Sequence, residues 1–245
     1  MICAALIATE FAPSPSIVTE CQAVTAHALA VETQSWRRRA ERHIPAAWVS
    51  AKRAMDIAIA LGVLLLTAPL IVLAMIGIMI CSPGSPIFAQ ERVGLYGRRF
   101  TLFKLRTMKL GAHAQLGALR AADIAGGPTF KMKNDPRVFP LGRILRKLSV
   151  DELLNLVNVL RGEMSIVGPR PALPSEVEKY DDFALRRLRA KPGLTCIWQI
   201  SGRSNVGFTE WMQMDHEYLD NWSPAYDVKI LLSTIPCVLF ARGAY

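Results

Sequence analysis

Two adjacent carboxylates, Asp151 and Glu152, lie within a strongly basic part of the chain. They follow Ser149, and a Ser-x-x-Glu spacing is typical of the first turn of a capped helix, so we predict that a helix begins at Ser149. Arg146 lies upstream, and Arg170 lies downstream in a Gly-Pro-Arg-Pro loop. Because a helix N-terminus favours negative charge and binds anions, a carboxylate, a divalent cation and a phosphate could meet there.

The residues around this pair predict the elements that carry it. Residues 141–171 indicate a helix, a break, a second helix and a loop containing glycine and proline. The predicted apolar face of the second helix comprises Leu153, Leu154, Val157 and Leu160, which recur at helical spacing. Capped helices commonly have an acidic first turn without any catalytic role, so the pair alone does not distinguish a catalytic site from a helix cap.

Three other stretches contain charged residues that could belong to a site. Residues 100–108 predict a strand whose period of two puts Lys104 and Arg106 on one face, although basic residues on a strand also serve solubility. Arg203 lies in a loop beside glycine, where its planar guanidinium suits a phosphate. Asp215 lies in a helical stretch, where an exposed acidic residue needs no functional explanation.

Residues 57–81 contain no charged side chain. At about 1.5 Å per residue they are long enough to cross the roughly 30 Å hydrocarbon core of a bilayer, so a spanning helix is the simplest interpretation. Two features disfavour it. Pro69 removes a backbone hydrogen bond at the centre, and bases flank both ends, Lys52 and Arg53 among them, against the usual asymmetry. A helix that enters, bends at Pro69 and returns would keep both basic flanks on one side.

The composition narrows the possible functions. The chain has 245 residues, of which 51% are hydrophobic, and a net charge of +9, a combination that suits contact with anionic lipid, phosphorylated substrates or nucleic acid. The five cysteines form no C-x-x-C pair, so neither a zinc site nor a disulfide framework is indicated and a reducing compartment fits best. A P-loop motif is absent, which disfavours a P-loop kinase.

The segment KLSVDELLNLVNVLRGEMSIVGPRP, residues 147–171, resembles the core signature of the bacterial sugar transferases, the monotopic phosphoglycosyl transferases. The resemblance extends from about Lys52 to about Phe240 and includes a basic-basic-x-x-acid motif formed by Lys52, Arg53 and Asp56. There we expect Asp56 to pair with one of the two bases, one helical turn away, and to anchor the segment at the membrane interface.

The chain departs from this family at two positions. Members usually carry serine before the central proline, where this chain has Ala68, and the hydroxyl of Thr67 is expected to satisfy a carbonyl that Pro69 frees. Members also carry glycine after the threonine of the Pro-Gly-Leu-Thr motif, where this chain has Cys196.

The resemblance implies transfer of a sugar phosphate from a UDP-sugar to polyprenyl phosphate in the membrane, with release of UMP. Asp151 is implied as the nucleophile that forms a sugar-phosphoryl-aspartate and as a ligand of Mg²⁺, with Glu152 handling a proton or orienting the acceptor. The implied phosphate contacts come from five bases, and a further acidic residue completes the site. These residues are Lys104, Arg106, Arg146, Arg170, Arg203 and Asp215.

The implied fold is α+β and mainly helical, with a re-entrant helix-break-helix joined to a compact cytosolic catalytic domain that contains a small β-element. We expect a variable tail with a basic interfacial segment at 1–50, the re-entrant helix at 51–82 and the catalytic domain at 83–245, on the cytoplasmic face of a bacterial inner membrane. Residues 175–191 predict a single charged helix. Homo-oligomers are possible.

Two alternatives remain open. An inactive relative could bind the membrane surface and recruit partners, in which case it would bind lipid without releasing UMP. A DNA-binding protein is suggested by the net charge and by the helix pair of residues 141–161. A helix-turn-helix would carry bases at the start of its second helix, whereas this chain has Asp151 and Glu152 there, so we expect no nucleic-acid partner.

Overall fold

The computed structural model describes residues 45–112, 114–115, 117, 132, 135–201 and 206–239, without the side chains of 238–239. Residues 1–44 and the candidate phosphate contact Arg203 lie outside the described residues. Within them the fold is mainly helical with two small two-stranded sheets, which agrees with the predicted α+β class.

One long apolar helix, α1, spans Ala46–Cys81. In the described part of the chain it alone is long and apolar enough to cross a membrane, judged by length and composition. Many of its apolar side chains are exposed, Leu66 to 82%. The chain stays helical across Ala68 and Pro69, so the predicted break between two helices is wrong. A bend within the single helix stays a prediction.

The hydroxyl of Thr67 donates to the carbonyl of Val63 at 2.7 Å. This carbonyl lies two residues before that of Leu65, which loses its usual donor to Pro69. Thr67 therefore does not satisfy the carbonyl that the proline frees, contrary to the expectation from the sequence.

Both halves of α1 pack against the rest of the chain. Ala60 in the first half lies in an apolar cluster with Leu156 and Val159. Ile78, near the other end, lies in a second cluster that also contains Leu145. Since the intervening exposed leucines point away from these clusters, α1 has one packed side and one uncovered apolar side along its length.

A β-hairpin follows α1. Strand β1, Ile87–Val93, pairs antiparallel with β2, Arg99–Leu105, and the register puts Lys104 opposite Phe88. The strand predicted at 100–108 is thereby confirmed, although it ends at Leu105, before Arg106.

The helix, break and second helix predicted for residues 141–171 are confirmed, but their details differ. Helix α2 spans Pro140–Lys147, a 3₁₀ turn spans Val150–Glu152, and α3 spans Asn155–Arg161. The prediction that Ser149 caps a helix is wrong, because Ser149 has a left-handed backbone with φ 57° and its side chain makes no capping hydrogen bond. The acidic pair therefore occupies its own 3₁₀ turn, ahead of α3.

The apolar face predicted for the second helix is also shifted. The fully buried side of α3 comprises Asn155, Leu156, Asn158 and Val159. The leucines chosen from the sequence are only partly buried and pack at the margins of the apolar clusters. The shift follows from the later start of the helix, since the face was counted from Ser149.

A second, parallel sheet joins distant parts of the chain. Strand β3, Ser165–Val167, pairs with β4, Gly193–Thr195. The chain between them contains two short helices and a 3₁₀ turn, so the single charged helix predicted at 175–191 is wrong. These elements are α4, Pro174–Val177; α5, Asp182–Leu185; and the 3₁₀ turn, Arg186–Arg189.

Three helices complete the described fold. They are α6, Ile197–Ile200; α7, Phe208–Asn221; and α8, Pro224–Leu239. Residues of α7 and α8, such as Tyr218 and Ile230, share the apolar cluster of α1 and α3. Helices α7 and α8 are thus packed against the first half of the long apolar helix.

Candidate active site

The β-hairpin and the acidic turn meet through an ion pair. Nζ of Lys104 lies 2.6 Å from Oε1 of Glu152, and both side chains are mostly buried. Asn158, on α3, joins the hairpin to the helix that follows the acidic turn, since its side chain accepts from the Phe103 N–H at 3.2 Å and donates to the Thr101 carbonyl at 2.6 Å. Helix α3 thereby covers the free edge of β2, which fixes Lys104 over the acidic turn.

Asp151, the predicted nucleophile, is only 8% exposed. Burial raises the pKa of its carboxyl, the adjacent Glu152 charge raises it further, and Lys104 and Arg146 oppose the rise. Among the described residues it forms no salt bridge, whereas its neighbour Glu152 is tied to Lys104. The pKa of Glu152 is lowered: burial opposes ionisation, but the charges of Lys104 and Arg170 outweigh it. The two carboxyls therefore have different roles available to them.

Arg146 is held beside Asp151 by the segment that follows β2. Its Nε donates to the hydroxyl of Thr107 at 2.9 Å. Gly142, on the same helix, lies so close to the Thr107 carbonyl that a Cβ there would clash. The close contact lets α2 bring Arg146 to the acidic turn, as the sequence analysis expected.

A cavity opens beside the acidic turn. Three cations line it, namely Arg92, Lys104 and Arg170, together with the carboxylate of Glu152. The remaining wall is apolar, aromatic or neutral polar, and comprises Leu102, Asn155, Pro171, Gly193, Leu194, Cys196, Trp198 and Gln199. Such a cavity suits a ligand that has both a strongly anionic part and a neutral part.

Arg92 is the cation that the sequence analysis did not select. It is buried, and Nη1 donates to the Pro171 carbonyl at 3.0 Å while Nε has no hydrogen-bond partner. Burial, together with the nearby Arg170, lowers the pKa of Arg92 to about 10. Two neighbouring guanidiniums on the wall of one cavity suit the binding of an anion.

Arg170 lies over the ring of Trp198, with 5.8 Å between the guanidinium carbon and the ring centroid. Its carbonyl accepts a hydrogen bond from Arg187 at 2.9 Å. Arg187 in turn lies 2.9 Å from Asp215, and both side chains are almost fully buried. Burial raises the pKa of Asp215 to about 6, and the Arg187 charge opposes this rise.

The structure brings together only some of the predicted site residues. Lys104, Glu152 and Arg170 line the cavity, whereas Asp151 and Arg146 lie beside it and are not among its lining residues.

Asp215 lies behind Arg170 and supports its loop, so it is not part of the cavity wall. Arg106 points away from the acidic turn: its guanidinium donates to the carbonyls of Ser82 and Gly84, at 2.5 and 3.3 Å, and so fixes the turn after α1. Arg106 lies just past the end of β2, so the alternation that was expected to put it on the same face as Lys104 no longer applies.

The basic-basic-x-x-acid motif anchors the start of α1 to the globular part of the chain. Arg53 donates to the carbonyls of Val159 and Leu160, at 2.6 and 2.8 Å, at the end of α3, where helix carbonyls lack partners. Lys52 lies 2.6 Å from the fully buried carboxylate of Asp227.

Asp56 does not pair with either base of its motif. It accepts hydrogen bonds from the Ser165 hydroxyl and the Ile166 N–H, both at 2.9 Å. The expected contact one helical turn away is therefore wrong, because strand β3 offers closer donors and the two bases have distant partners of their own. Whether these residues also lie at a membrane interface stays a prediction.

The family of this chain is shown by comparison with known proteins. The family described as "Bacterial sugar transferase" matches residues 47–241. Exopolysaccharide production protein ExoY of Rhizobium meliloti is 43% identical over 199 residues, which cover 80% of this chain and 88% of that protein. The UDP-glucose:undecaprenyl-phosphate glucose-1-phosphate transferase of Caulobacter vibrioides is 39% identical over 203 residues, 79% of this chain and 72% of that protein.

A longer relative matches over part of its length. The undecaprenyl-phosphate galactose phosphotransferase of Salmonella typhimurium is 40% identical over 199 residues, which cover 79% of this chain and 41% of that protein. The matches include the acidic turn, the hairpin that supplies Lys104 and the loop that supplies Arg170. The chain therefore belongs to the bacterial sugar transferase family, as its core motif predicted.

Proposed function

We propose that this protein transfers a sugar 1-phosphate from a UDP-sugar to polyprenyl phosphate, releasing UMP, at the start of exopolysaccharide or related glycan assembly. The names of the relatives from Caulobacter vibrioides and Salmonella typhimurium describe this type of reaction. The observation that carries the proposal is the buried acidic turn beside a cavity lined by Arg92, Lys104 and Arg170.

The reaction proceeds in two displacements. In the first, an oxygen of Asp151 attacks the β-phosphorus, the bond from that phosphorus to the bridging oxygen breaks, and UMP leaves with the electron pair. In the second, a phosphate oxygen of the polyprenyl phosphate attacks the same phosphorus and the bond to Asp151 breaks. The cavity cations bind the negative charge that both steps place on oxygen.

Glu152 serves to position Lys104. The lowered pKa of its carboxyl keeps Glu152 ionised in the free protein, so it has no proton to donate there. Its 2.6 Å contact holds the Lys104 ammonium at the cavity wall. Positioning of Lys104 adds to the two roles that the sequence analysis considered, handling a proton and orienting the acceptor, and the lowered pKa argues only against proton donation.

Mg²⁺ fits this site as an ion completed by the substrate. No cluster of three metal-binding side chains occurs among the described residues. Mg²⁺ is commonly held by one or two carboxylates together with substrate phosphates. Asp151, which forms no salt bridge within the described part of the chain, would supply the protein ligand. When bound, the ion would offset charge on the pyrophosphate.

The long apolar helix would insert from one side of the membrane and leave the catalytic domain on the cytoplasmic face. Support comes from the packing of both halves of α1 on the globular part of the chain, through one apolar cluster at Ala60 and a second at Ile78. A straight spanning helix would draw those packed residues into the hydrocarbon. Tags at Met1 and Tyr245 are expected to be labelled from the same side of intact cells, and labelling from opposite sides would contradict this arrangement.

The central experiment measures UMP release by the detergent-solubilised protein with Mg²⁺, undecaprenyl phosphate and a panel of UDP-sugars. Asp151→Asn is expected to reduce turnover about a thousandfold or more, since nucleophile removal is among the most damaging changes to an enzyme. Asp182→Asn, at an exposed position on α5, is the matched control and should retain activity. Near-normal turnover by Asp151→Asn would refute the covalent scheme, and lipid binding without UMP release by the unaltered protein would favour the inactive relative.

A further inference from the structure

The side chain of Asn155 is a buried amide whose Oδ1 has no hydrogen-bond partner. It is 3% exposed and lines the cavity beside Glu152. Asn158, one turn further along α3, differs in that its amide is hydrogen-bonded to the backbone of Thr101 and Phe103 and to the side chain of Glu163. A buried amide oxygen without a partner destabilises the free protein, and a ligand that supplies a donor recovers that loss.

The position of Asn155 indicates which part of a ligand it meets. Leu153 and Leu154, which separate it from Glu152, both have right-handed helical backbones. Side chains three residues apart in such a segment have Cβ atoms about 5–6 Å apart on one face. Asn155 therefore lies on the cavity wall close to Glu152, whose chain neighbour Asp151 is the proposed nucleophile.

The cavity wall contains cations that suit phosphate groups and a neutral amide that suits a hydroxyl group. Arg92, Lys104 and Arg170 provide cations for phosphate oxygens. Asn155 is neutral and can both donate and accept, which suits a hydroxyl group. In a nucleotide sugar the hydroxyl groups nearest the reacting phosphorus belong to the hexose, whereas the base lies beyond a second phosphate and a ribose.

We propose that Asn155 binds a hydroxyl group of the hexose of the UDP-sugar and is a specificity-determining residue for the sugar. This inference rests on the proposed function. A site that hydrogen-bonds a substrate hydroxyl discriminates strongly against an analogue that lacks it, because a buried polar group is then left unpaired. Removal of the amide should remove that discrimination.

The test compares the detergent-solubilised wild type with Asn155→Ala, Asn155→Leu and Asn155→Gln, using the preferred UDP-hexose and its monodeoxy analogues. In the wild type, loss of one particular hydroxyl leaves the buried amide unpaired, which should lower kcat/KM about 10- to 100-fold. Asn155→Ala and Asn155→Leu should show that loss with the intact sugar and lose little more with the same deoxy analogue. Asn155→Gln keeps the amide and is the control for loss of activity that arises because a variant fails to fold.

Two further measurements distinguish sugar recognition by Asn155 from a role in binding UDP or Mg²⁺. Inhibition by UDP, which lacks the hexose, should change less than about twofold, and the Mg²⁺ concentration for half-maximal rate should be unchanged. Equal weakening of UDP and UDP-hexose, a raised Mg²⁺ requirement, or unchanged discrimination in all three variants would overturn the inference while leaving wild-type turnover intact. A wild type that neither binds nor turns over any UDP-sugar would overturn the proposed function as well.

Discussion

Two buried polar regions of this protein differ in how completely their groups are paired. At the start of α1, Asp227 is fully buried and accepts hydrogen bonds from Lys52, Tyr218 and Trp222, at 2.6, 2.8 and 3.0 Å. In the cavity, by contrast, three cations face one carboxylate, and atoms of Arg92 and Asn155 have no partner.

This contrast distinguishes polar groups that hold the fold from those that await a ligand. An unpaired buried group costs stability and needs a compensating gain, and a bound ligand that completes it is one such gain. The cluster of Lys52, Tyr218, Trp222 and Asp227, which we term the anchor cluster, already has its partners inside the chain. Changes there should reduce stability first, whereas changes in the cavity should reduce activity first.

The largest expected effect on stability comes from Asp227→Ala. It would leave the ammonium of Lys52, 15% exposed, and the Tyr218 hydroxyl without their shared carboxylate. Breaking a buried pair in this way typically costs about 3–5 kcal/mol. Thermal or denaturant unfolding in detergent measures this loss, and the protein that remains folded should retain its kcat/KM.

The matched control is Asp220→Ala, which removes an ion pair with Arg186 at the surface. Exposed pairs contribute about 0–1 kcal/mol, so this variant should be nearly as stable as the wild type. The double variant Lys52→Met with Asp227→Leu should recover part of the loss, since it leaves no charge unpaired. Equal stability of the two aspartate variants would contradict the structural role of the anchor cluster.

The next largest effect is expected on activity, from Lys104→Met. Removing one group that stabilises developing charge costs about 10²- to 10³-fold in rate, or about 2.7–4 kcal/mol. The control is Arg99→Met on the same strand, because Arg99 pairs with Glu91 at the exposed edge of the hairpin. UMP release and unfolding are measured for both. If Lys104→Met lost stability in proportion to activity, Lys104 would have a structural role like that of the anchor cluster.

Much of the site could be predicted from local sequence. The acidic pair and its neighbours Arg146 and Arg170 are close in the chain, so spacing alone indicated a common site. Arg92 and Asn155 were missed, because their place in the cavity depends on how β1 and α3 pack. Strand β1 has no alternating pattern that would single out Arg92, and the burial of this arginine is apparent only in the folded chain.

Rules of local pairing failed where tertiary contacts offered better partners. Asp56 was expected to pair within its own helix, but Ser165 and Ile166 on β3 bind it instead. Ser149 was expected to cap a helix, but the sharp change of direction after α2 requires a left-handed backbone there. Neither partner strand nor chain direction can be deduced from spacing of three or four residues.

A smaller effect is expected from Gly193→Ala, because Gly193 belongs both to β4 and to the cavity wall. A Cβ there would clash with the backbone of Gly168, which follows β3. Strand displacement of this kind costs about 1–3 kcal/mol and should lower both stability and activity. Gly62→Ala is the control, since a Cβ on Gly62 meets nothing within 4 Å. A fully active, stable Gly193→Ala would show that this close approach is dispensable.

The smallest effect concerns the strained turn next to the nucleophile. Ser149 has φ 57°, a conformation that glycine adopts without steric cost and β-branched residues strongly disfavour. Ser149→Gly should therefore leave the free energy of unfolding unchanged or raise it by about 0.5–1 kcal/mol, whereas Ser149→Val should lower it by about 1–2 kcal/mol. Because the strain lies beside Asp151, Ser149→Val should also reduce UMP release more than its loss of stability explains. Equal behaviour of the two variants would mean that the left-handed turn neither stores strain nor positions Asp151.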